Sequence, residues 1–220
     1  MTTRQTTHPR QISFILYLII FHAAWVAWVL VGYPHLRNVG EQTFRYALIN
    51  LSVRGLIFVL PVFVYLRYVE RVGPWNYLKL GKRWLSGLIV GLGLTALNFL
   101  VQFAVHGPPH LGYRGLTWNS ILSTSLLIGF VEEVPYRGFI FQKLNEWTSF
   151  PVAALISSLL FLSIHLPGWL SLHIYRTQSA VFVFVFGLVM ATLLRFTSSL
   201  WAPIVSHSTN DFLSAVLFHN

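Results

Sequence analysis

The sequence predicts an all-α fold, a polytopic transmembrane bundle of about seven to eight helices. The composition indicates this, because 55% of the 220 residues are hydrophobic, only 10% are charged and the mean hydropathy is +0.64. Soluble domains carry about 25% charged residues, so the chain has less than half of the charge that a water-exposed surface needs. The deficit extends over the whole length. We therefore expect residues 1–220 to form a single integral-membrane domain.

Seven apolar runs approach the ~20 residues that a helix needs to cross the hydrocarbon core. They are Ile12–Val31, Ala47–Leu66, Trp84–Val105, Ser120–Leu144, Val152–Leu166, Ala180–Phe196 and Leu200–Phe218. The first run is longer than the ~7–15 apolar residues of a signal peptide and is expected to be a retained helix. The fifth run is short, so an eighth crossing or a re-entrant segment near Trp169–Leu172 is an alternative.

The basic residues lie mostly between the apolar runs, where Lys and Arg determine membrane topology. With a cytoplasmic N-terminus, the cytoplasmic side holds Arg4, Arg10, Arg67, Arg71, Lys79, Lys82, Arg83, Lys143 and Arg195. The opposite side holds only Arg37, Arg45, Arg114 and Arg176, so a cytoplasmic N-terminus is predicted. The net charge of +9 is thereby explained by topology and by membrane lipids, with no nucleic-acid partner. The chain has no cysteine, which excludes disulfides and thiolate metal sites.

Three of the six acidic residues fall inside predicted membrane helices, namely Glu132, Glu133 and Asp211. An ionised side chain at a helix centre costs about 2.5–3.5 kcal/mol on insertion scales. Such groups must therefore be paired, protonated or turned toward water. A functional site is the default interpretation, and a polar cluster that holds helices together is the alternative.

The fourth predicted helix carries Glu132 and Glu133, followed by Pro135 and Arg137. Glu133 and Arg137 are four residues apart, so they share a face and can form an ion pair. Glu132 is rotated by about 100° from its neighbour, so the two carboxylates can have different partners. Pro135 has no N–H to donate to the carbonyl of Val131, which predicts a kink beside the carboxylates.

Two later helices carry histidines at the same helical spacing. In the fifth helix, Phe161 and His165 lie on one face. In the last helix, His207 and Asp211 share a face, and Asn210 lies on its flank.

Together these motifs resemble those of the CAAX-protease and bacteriocin-processing (CPBP) family, which includes the Ras-converting type of endopeptidase. That family is marked by EExxxR, then FxxxH, then HxxxN or HxxxD, on consecutive late helices. The motifs here read Glu132-Glu133…Arg137, Phe161…His165 and His207…Asp211. The resemblance covers roughly residues 121–218, and residues 120–218 are expected to be the catalytic helices.

The resemblance implies an intramembrane endopeptidase that hydrolyses peptide bonds by a glutamic mechanism, without a metal or another cofactor. It implies that Glu132 is the general base for a water molecule and that His165 holds the same water. His207 and Asp211 would stabilise the oxyanion. The supporting side chains around these four would be Glu133, Arg137, Asn210 and Phe161, with Glu133 and Arg137 positioning Glu132 and tuning its basicity.

The Asp form of the third motif leaves the role of Asp211 open. Asn can donate a hydrogen bond to an oxyanion, whereas an ionised Asp211 cannot. Asp211 is therefore expected either to orient His207, which leaves His207 and Asn210 as the donors, or to stay protonated.

Two other functions fit the same residues. In a zinc-dependent membrane protease the ligands would be His165, His207 and either Glu132 or Asp211, because two histidines and a carboxylate form a catalytic zinc set. A proton-coupled transporter would use the same groups as a proton relay, although the sequence has no inverted repeat. For an enzyme, the expected partner is a peptide or protein substrate, with or without a lipid modification.

Overall fold

A computed structural model describes residues 8–107 and 116–217 of the chain and confirms the all-α class. No described residue lies in a β-strand. Three residues named in the predictions lie outside the described residues. They are two of the basic residues used to predict the topology, Arg4 and Arg114, and the predicted end of the last helix, Phe218. The orientation of the N-terminus stays a prediction.

The helices of the first half are α1 (residues 8–37), α2 (Phe44–Val69), the short α3 (Pro74–Tyr77) and α4 (Trp84–His106). Those of the second half are α5 (residues 118–147, interrupted at Leu127), α6 (Phe150–Ser163), the short α7 (Leu166–Ser171), α8 (Thr177–Thr197) and α9 (Trp201–Leu217). Each of the seven predicted apolar runs corresponds to one of the long helices. The short α7 occupies the place where a re-entrant segment was the alternative.

Five helical stretches are long and apolar enough to cross a membrane: Arg10–Arg37, Phe44–Val69, Trp84–Val105, Phe150–Ser171 and Thr177–Thr197. Their outward faces expose many large apolar side chains, such as Ile20, Leu100 and Phe182. So much exposed apolar surface is not compatible with water. The chain is therefore an integral membrane protein whose outer helices face lipid.

The two helices that carry acidic site residues, α5 and α9, lie at the centre of the bundle. Residues 131–141 of α5 are all buried. Within this stretch the hydrogen bonding of α5 changes to the wider π-helical pattern at Val134–Phe141, directly after Glu133 and including Pro135. The helix is therefore irregular beside the two carboxylates, while the kink expected at Pro135 stays a prediction.

Small residues allow α9 to approach α4 closely. A Cβ atom on Gly87 would lie 2.6 Å from Ser199 Oγ, and one on Gly91 would lie 2.7 Å from the carbonyl oxygen of Ala202. One turn further along α4, the Thr95 hydroxyl donates to the carbonyl of Ser206 at 3.2 Å. Close contact through small residues is the usual way in which membrane helices associate, because lipid provides no hydrophobic driving force between them.

The end of the bundle where α1 begins is held by an ionic cluster around the buried Lys143. Lys143 of α5 contacts Glu70 at 2.7 Å and Glu146 at 3.0 Å. The Tyr77 hydroxyl of α3 donates to the same Glu146 at 2.7 Å. These contacts tie α2 and α3 to α5 at this end.

We expect Gly129→Ala to destabilise the protein, because Gly129 is where α5 crosses α9. A Cβ atom there would lie 2.4 Å from both the carbonyl oxygen of Ile204 and Ser208 Oγ. The helices would have to separate, and overpacking of this kind costs about 1–3 kcal/mol. The measurement is the thermal unfolding midpoint of the detergent-purified protein. Gly93→Ala is the matched control, because a Cβ atom at Gly93 meets nothing within 4 Å; equal midpoints for the two variants would contradict the crossing.

Candidate active site

The four residues predicted to be catalytic line a single cavity of about 470 Å³. Glu132 comes from α5, His165 from the turn between α6 and α7, and His207 and Asp211 from α9. The remaining walls come from α1, α2 and the segment after α7. The convergence that the three motifs predicted is present in the structure.

Glu132 directs its carboxylate into this cavity. Its Oε1 lies 3.7 Å from Arg54 Nη1, and its Oε2 lies 4.0 Å from His207 Nε2. Both distances exceed the 2.7–3.2 Å of a direct N–H···O hydrogen bond. The carboxylate therefore lies between Arg54 and His207, and its hydrogen-bonding capacity is still available to a ligand.

Glu133 points in another direction and has 0% of its surface exposed. Its Oε1 lies 3.1 Å from Arg137 Nη1 and 2.8 Å from His207 Nδ1. A carboxylate can only accept, so both nitrogens donate. The two adjacent glutamates thus have different partners, as their angular separation allowed. Glu133 holds His207, whereas the expectation from the resemblance was that it would position Glu132.

Arg137 is buried under the aromatic ring of the second motif. Its guanidinium carbon lies 4.2 Å from the centre of the Phe161 ring, a cation–π distance. A Cβ atom on Gly187 of α8 would lie only 3.2 Å from Arg137 Nη2, so glycine provides the space for this end of the guanidinium. Phe161 therefore covers the cation that pairs with Glu133.

His165 has one ring nitrogen fixed and the other free. Its Nδ1 lies 2.9 Å from the carbonyl oxygen of Phe161, one turn earlier. A carbonyl only accepts, so Nδ1 carries the proton in this contact, and in the neutral ring Nε2 is then an acceptor. The carbonyl of the preceding residue, Ile164, accepts a hydrogen bond from Trp25 Nε1 at 2.7 Å, which fixes the turn against α1.

His207 lies between three carboxylates. Nδ1 is bound by Glu133, while Nε2 lies 3.5 Å from Asp211 Oδ2 and 4.0 Å from Glu132 Oε2. Glu133 and not Asp211 therefore occupies the nitrogen through which a carboxylate orients a catalytic histidine. Asp211 has a side chain that is 35% exposed and faces the cavity beside Nε2.

Asn210 points away from this cavity. Its Oδ1 accepts a hydrogen bond from Asn98 Nδ2 of α4 at 2.7 Å. It does not line the cavity that holds Glu132 and His165. The side chain thus contributes to the packing of α9 against α4, and the structure does not bring it to the four cavity residues.

Arg54 is a cavity residue that the sequence analysis missed. It lies inside the second apolar run, lines the cavity and is the cation next to Glu132. A charged side chain within a membrane helix is costly, and the acidic residues were selected as site candidates for this reason. The same argument applies to arginine and would have selected Arg54. Its partner could not be inferred, because the two residues are far apart in the sequence.

The proposed zinc ligands do not form a compact set. Among residues 8–107 and 116–217, no three His, Asp or Glu side chains come close enough together to hold a metal ion. His165 and His207 face the cavity from separate helices, and one nitrogen of each already contacts a protein oxygen.

The sequence of residues 114–213 matches the family model described as type II CAAX prenyl endopeptidase Rce1-like. This segment contains all three motifs. It includes the whole of helices α5 to α8 and all but the last four residues of α9. No curated protein and no solved structure matches the chain significantly.

We expect Arg137→Ala to reduce both the yield of folded protein and any activity of this site. The substitution leaves Glu133 as a buried, unpaired charge, and breaking a buried pair on one side costs about 3–5 kcal/mol. Yield and thermal midpoint in detergent are the measurements. Arg37→Ala is the control for stability, because Arg37 and Glu41 form an i,i+4 pair that is exposed, and such pairs contribute only about 0.2–1 kcal/mol. If Arg137→Ala kept wild-type yield and activity, the buried pair of Arg137 and Glu133 would be shown to contribute neither to folding nor to activity.

Proposed function

We propose that this chain, which belongs to the CAAX-protease family through residues 114–213, hydrolyses peptide bonds by a glutamic mechanism. The family implies an intramembrane endopeptidase. In the proposed mechanism, Glu132 is the general base, His165 holds the attacking water, and His207 with Asp211 lies on the side where the tetrahedral intermediate forms. Glu133, Arg137 and Phe161 position His207.

One observation carries the proposal: only one of the two adjacent glutamates is available for chemistry. Glu133 is fully buried and accepts hydrogen bonds from Arg137 and His207, whereas Glu132 faces the cavity without a direct hydrogen bond to another described residue. A general base needs a free lone pair next to the water that it deprotonates. His165 lines the same cavity, and because its Nδ1 contacts the Phe161 carbonyl, its Nε2 is the nitrogen left to accept a hydrogen bond from that water.

The reaction follows from these positions. Glu132 takes a proton from the water while the water oxygen attacks the peptide carbonyl carbon, and the carbonyl electrons move to the oxygen. When this oxyanion collapses, the C–N bond breaks and the proton is delivered to the leaving nitrogen. The products are a carboxylic acid and an amine, so no external reagent beyond water is needed.

The walls of the cavity indicate what kind of peptide it accepts. One side is apolar and aromatic, formed by Trp25, Trp28, Leu30, Leu172 and Ile174. Cavities that are mostly apolar with a few convergent polar groups are typical of ligand sites. These walls support a membrane-associated peptide or protein substrate that carries an apolar group, such as the prenyl chain that the family description names.

We expect Glu132→Gln to lower hydrolysis by about 10²–10⁴-fold, the usual contribution of a positioned general base. The amide keeps the size of the side chain and is less costly than a carboxylate in the membrane, so the variant should fold normally. The measurement is cleavage of a fluorogenic farnesylated peptide by protein reconstituted in lipid vesicles. Glu41→Gln is the matched control, because Glu41 is exposed and does not line the cavity. Equal activity of the two variants would reject Glu132 as the base.

We also expect activity to resist prolonged treatment with a strong chelator such as 1,10-phenanthroline. In the glutamic mechanism no cation is needed to activate the water. Zinc content of the purified, active protein is measured in parallel with the cleavage rate. The zinc alternative predicts a different result: the purified protein would contain stoichiometric zinc, the chelator would remove the zinc and the activity together, and added zinc would restore the activity. That result would assign the same residues to a zinc site.

A further inference from the structure

Arg54 enters the cavity from α2, outside the residues that match the family model. Its guanidinium carbon lies 5.4 Å from the centre of the Trp25 ring, a cation–π distance that places Arg54 against α1. Trp25 is itself fixed by its hydrogen bond to Ile164 and by the edge-on ring of Phe58 at 4.8 Å. A cation–π contact uses none of the N–H donors, so it leaves them available for hydrogen bonds.

The N–H groups of Arg54 have no protein acceptor. A guanidinium has five N–H donors, and in the described part of the chain none of them makes a hydrogen bond. Nε is buried without a partner, and the nearest carboxylate oxygen, Oε1 of Glu132, is 3.7 Å from Nη1. Unsatisfied donors of a charged group are costly in a partly buried site. The arrangement therefore indicates an anionic oxygen as the missing partner.

The position of Arg54 relative to Glu132 identifies that oxygen. Arg54 lies beside Oε1 of Glu132, and His207 Nε2 lies beside Oε2. Water bound to Glu132 attacks a carbonyl placed directly in front of it, so the negative charge forms within a few ångströms of both Arg54 and His207. The other two candidates from the third motif cannot donate to this oxygen, because an ionised Asp211 only accepts and Asn210 faces α4.

We propose that Arg54 is a catalytic residue that donates hydrogen bonds to the oxyanion of the tetrahedral intermediate. The inference rests on the proposed function, in which Glu132 takes the proton of the attacking water. As the new C–O bond forms, the π electrons of the carbonyl move to its oxygen, and the Arg54 N–H groups bind this charge. They release the oxygen when the carbonyl reforms, the C–N bond breaks and the proton passes from Glu132 to the nitrogen.

A comparison of kcat and KM separates this role from substrate binding. A donor that acts only in the transition state lowers kcat and leaves KM unchanged, and loss of one oxyanion donor costs about 10²–10³-fold in kcat. We therefore expect Arg54→Gln to lower kcat by this factor on a fluorogenic farnesylated peptide, with KM within about twofold of wild type. Arg67→Gln, an exposed position on the same helix, is the matched control and should keep wild-type kcat. Wild-type kcat for Arg54→Gln, or a loss confined to KM, overturns the proposal.

Chemical rescue gives a readout that a structural role would not produce. In Arg54→Ala the cavity can admit a guanidinium ion from solution, so millimolar guanidinium should raise kcat at least about tenfold, whereas the same concentration of NaCl should not. Absence of rescue in a folded Arg54→Ala protein overturns the proposal.

A second variant keeps the proposal testable if the neutral ones do not fold. Arg54→Lys retains the charge beside Glu132 but not the forked donor geometry, and its kcat should fall at least about tenfold. Wild-type kcat in this variant counts against an oxyanion role. The proposed function is tested separately by Glu132→Gln. It is supported if the wild-type protein cleaves the peptide and Glu132→Gln does not. In that case, full activity of Arg54→Gln rejects only the role of Arg54. If the wild-type protein cleaves nothing, both are rejected.

Discussion

The buried carboxylate of Glu133 is the constraint on which the rest of the site depends. It has no exposure to water, so it is tolerated only because Arg137 and His207 both donate to it. These contacts fix α5 against α9, and the Phe161 ring over Arg137 adds α6 to the same unit. Gly129 allows the helices to approach closely enough for the contacts to form. The pairing of Glu133 also leaves Glu132 as the carboxylate that faces the cavity.

The helical spacing was sufficient to predict which side chains lie together within one helix. Glu133 and Arg137 form the expected i,i+4 pair, and Phe161 and His165 share a face and are in ring contact. Contacts between helices could not be predicted in the same way. The bond from Glu133 to His207 and the turn of Asn210 toward Asn98 depend on the relative rotation of whole helices, which a periodic pattern does not specify.

The first half of the chain contributes more to the site than its sequence suggested. Its runs were interpreted as apolar helices, yet α1 and α2 supply Trp25 and Arg54 to the cavity. Trp25 is ordinary within a membrane helix, and the charge of Arg54 marks its position without naming its partner; the fold brings the two residues next to Ile164 and Glu132. Each motif consists of residues that are close together in the sequence. The three motifs therefore describe only the wall formed by α5, α6 and α9, and not the residues that distant helices contribute.

The position of the cavity along the bundle decides where a soluble product goes. Its walls include Tyr33 and Arg37 at the end of α1 and Ile174 between α7 and α8, whereas the cluster around Lys143 closes the opposite end. Under the proposed function, a short polar product would leave on the side of the membrane where α1 ends, and a fragment with a lipid anchor would stay in the bilayer. Cleavage would then be vectorial, and the orientation of the chain would set which compartment receives the released peptide.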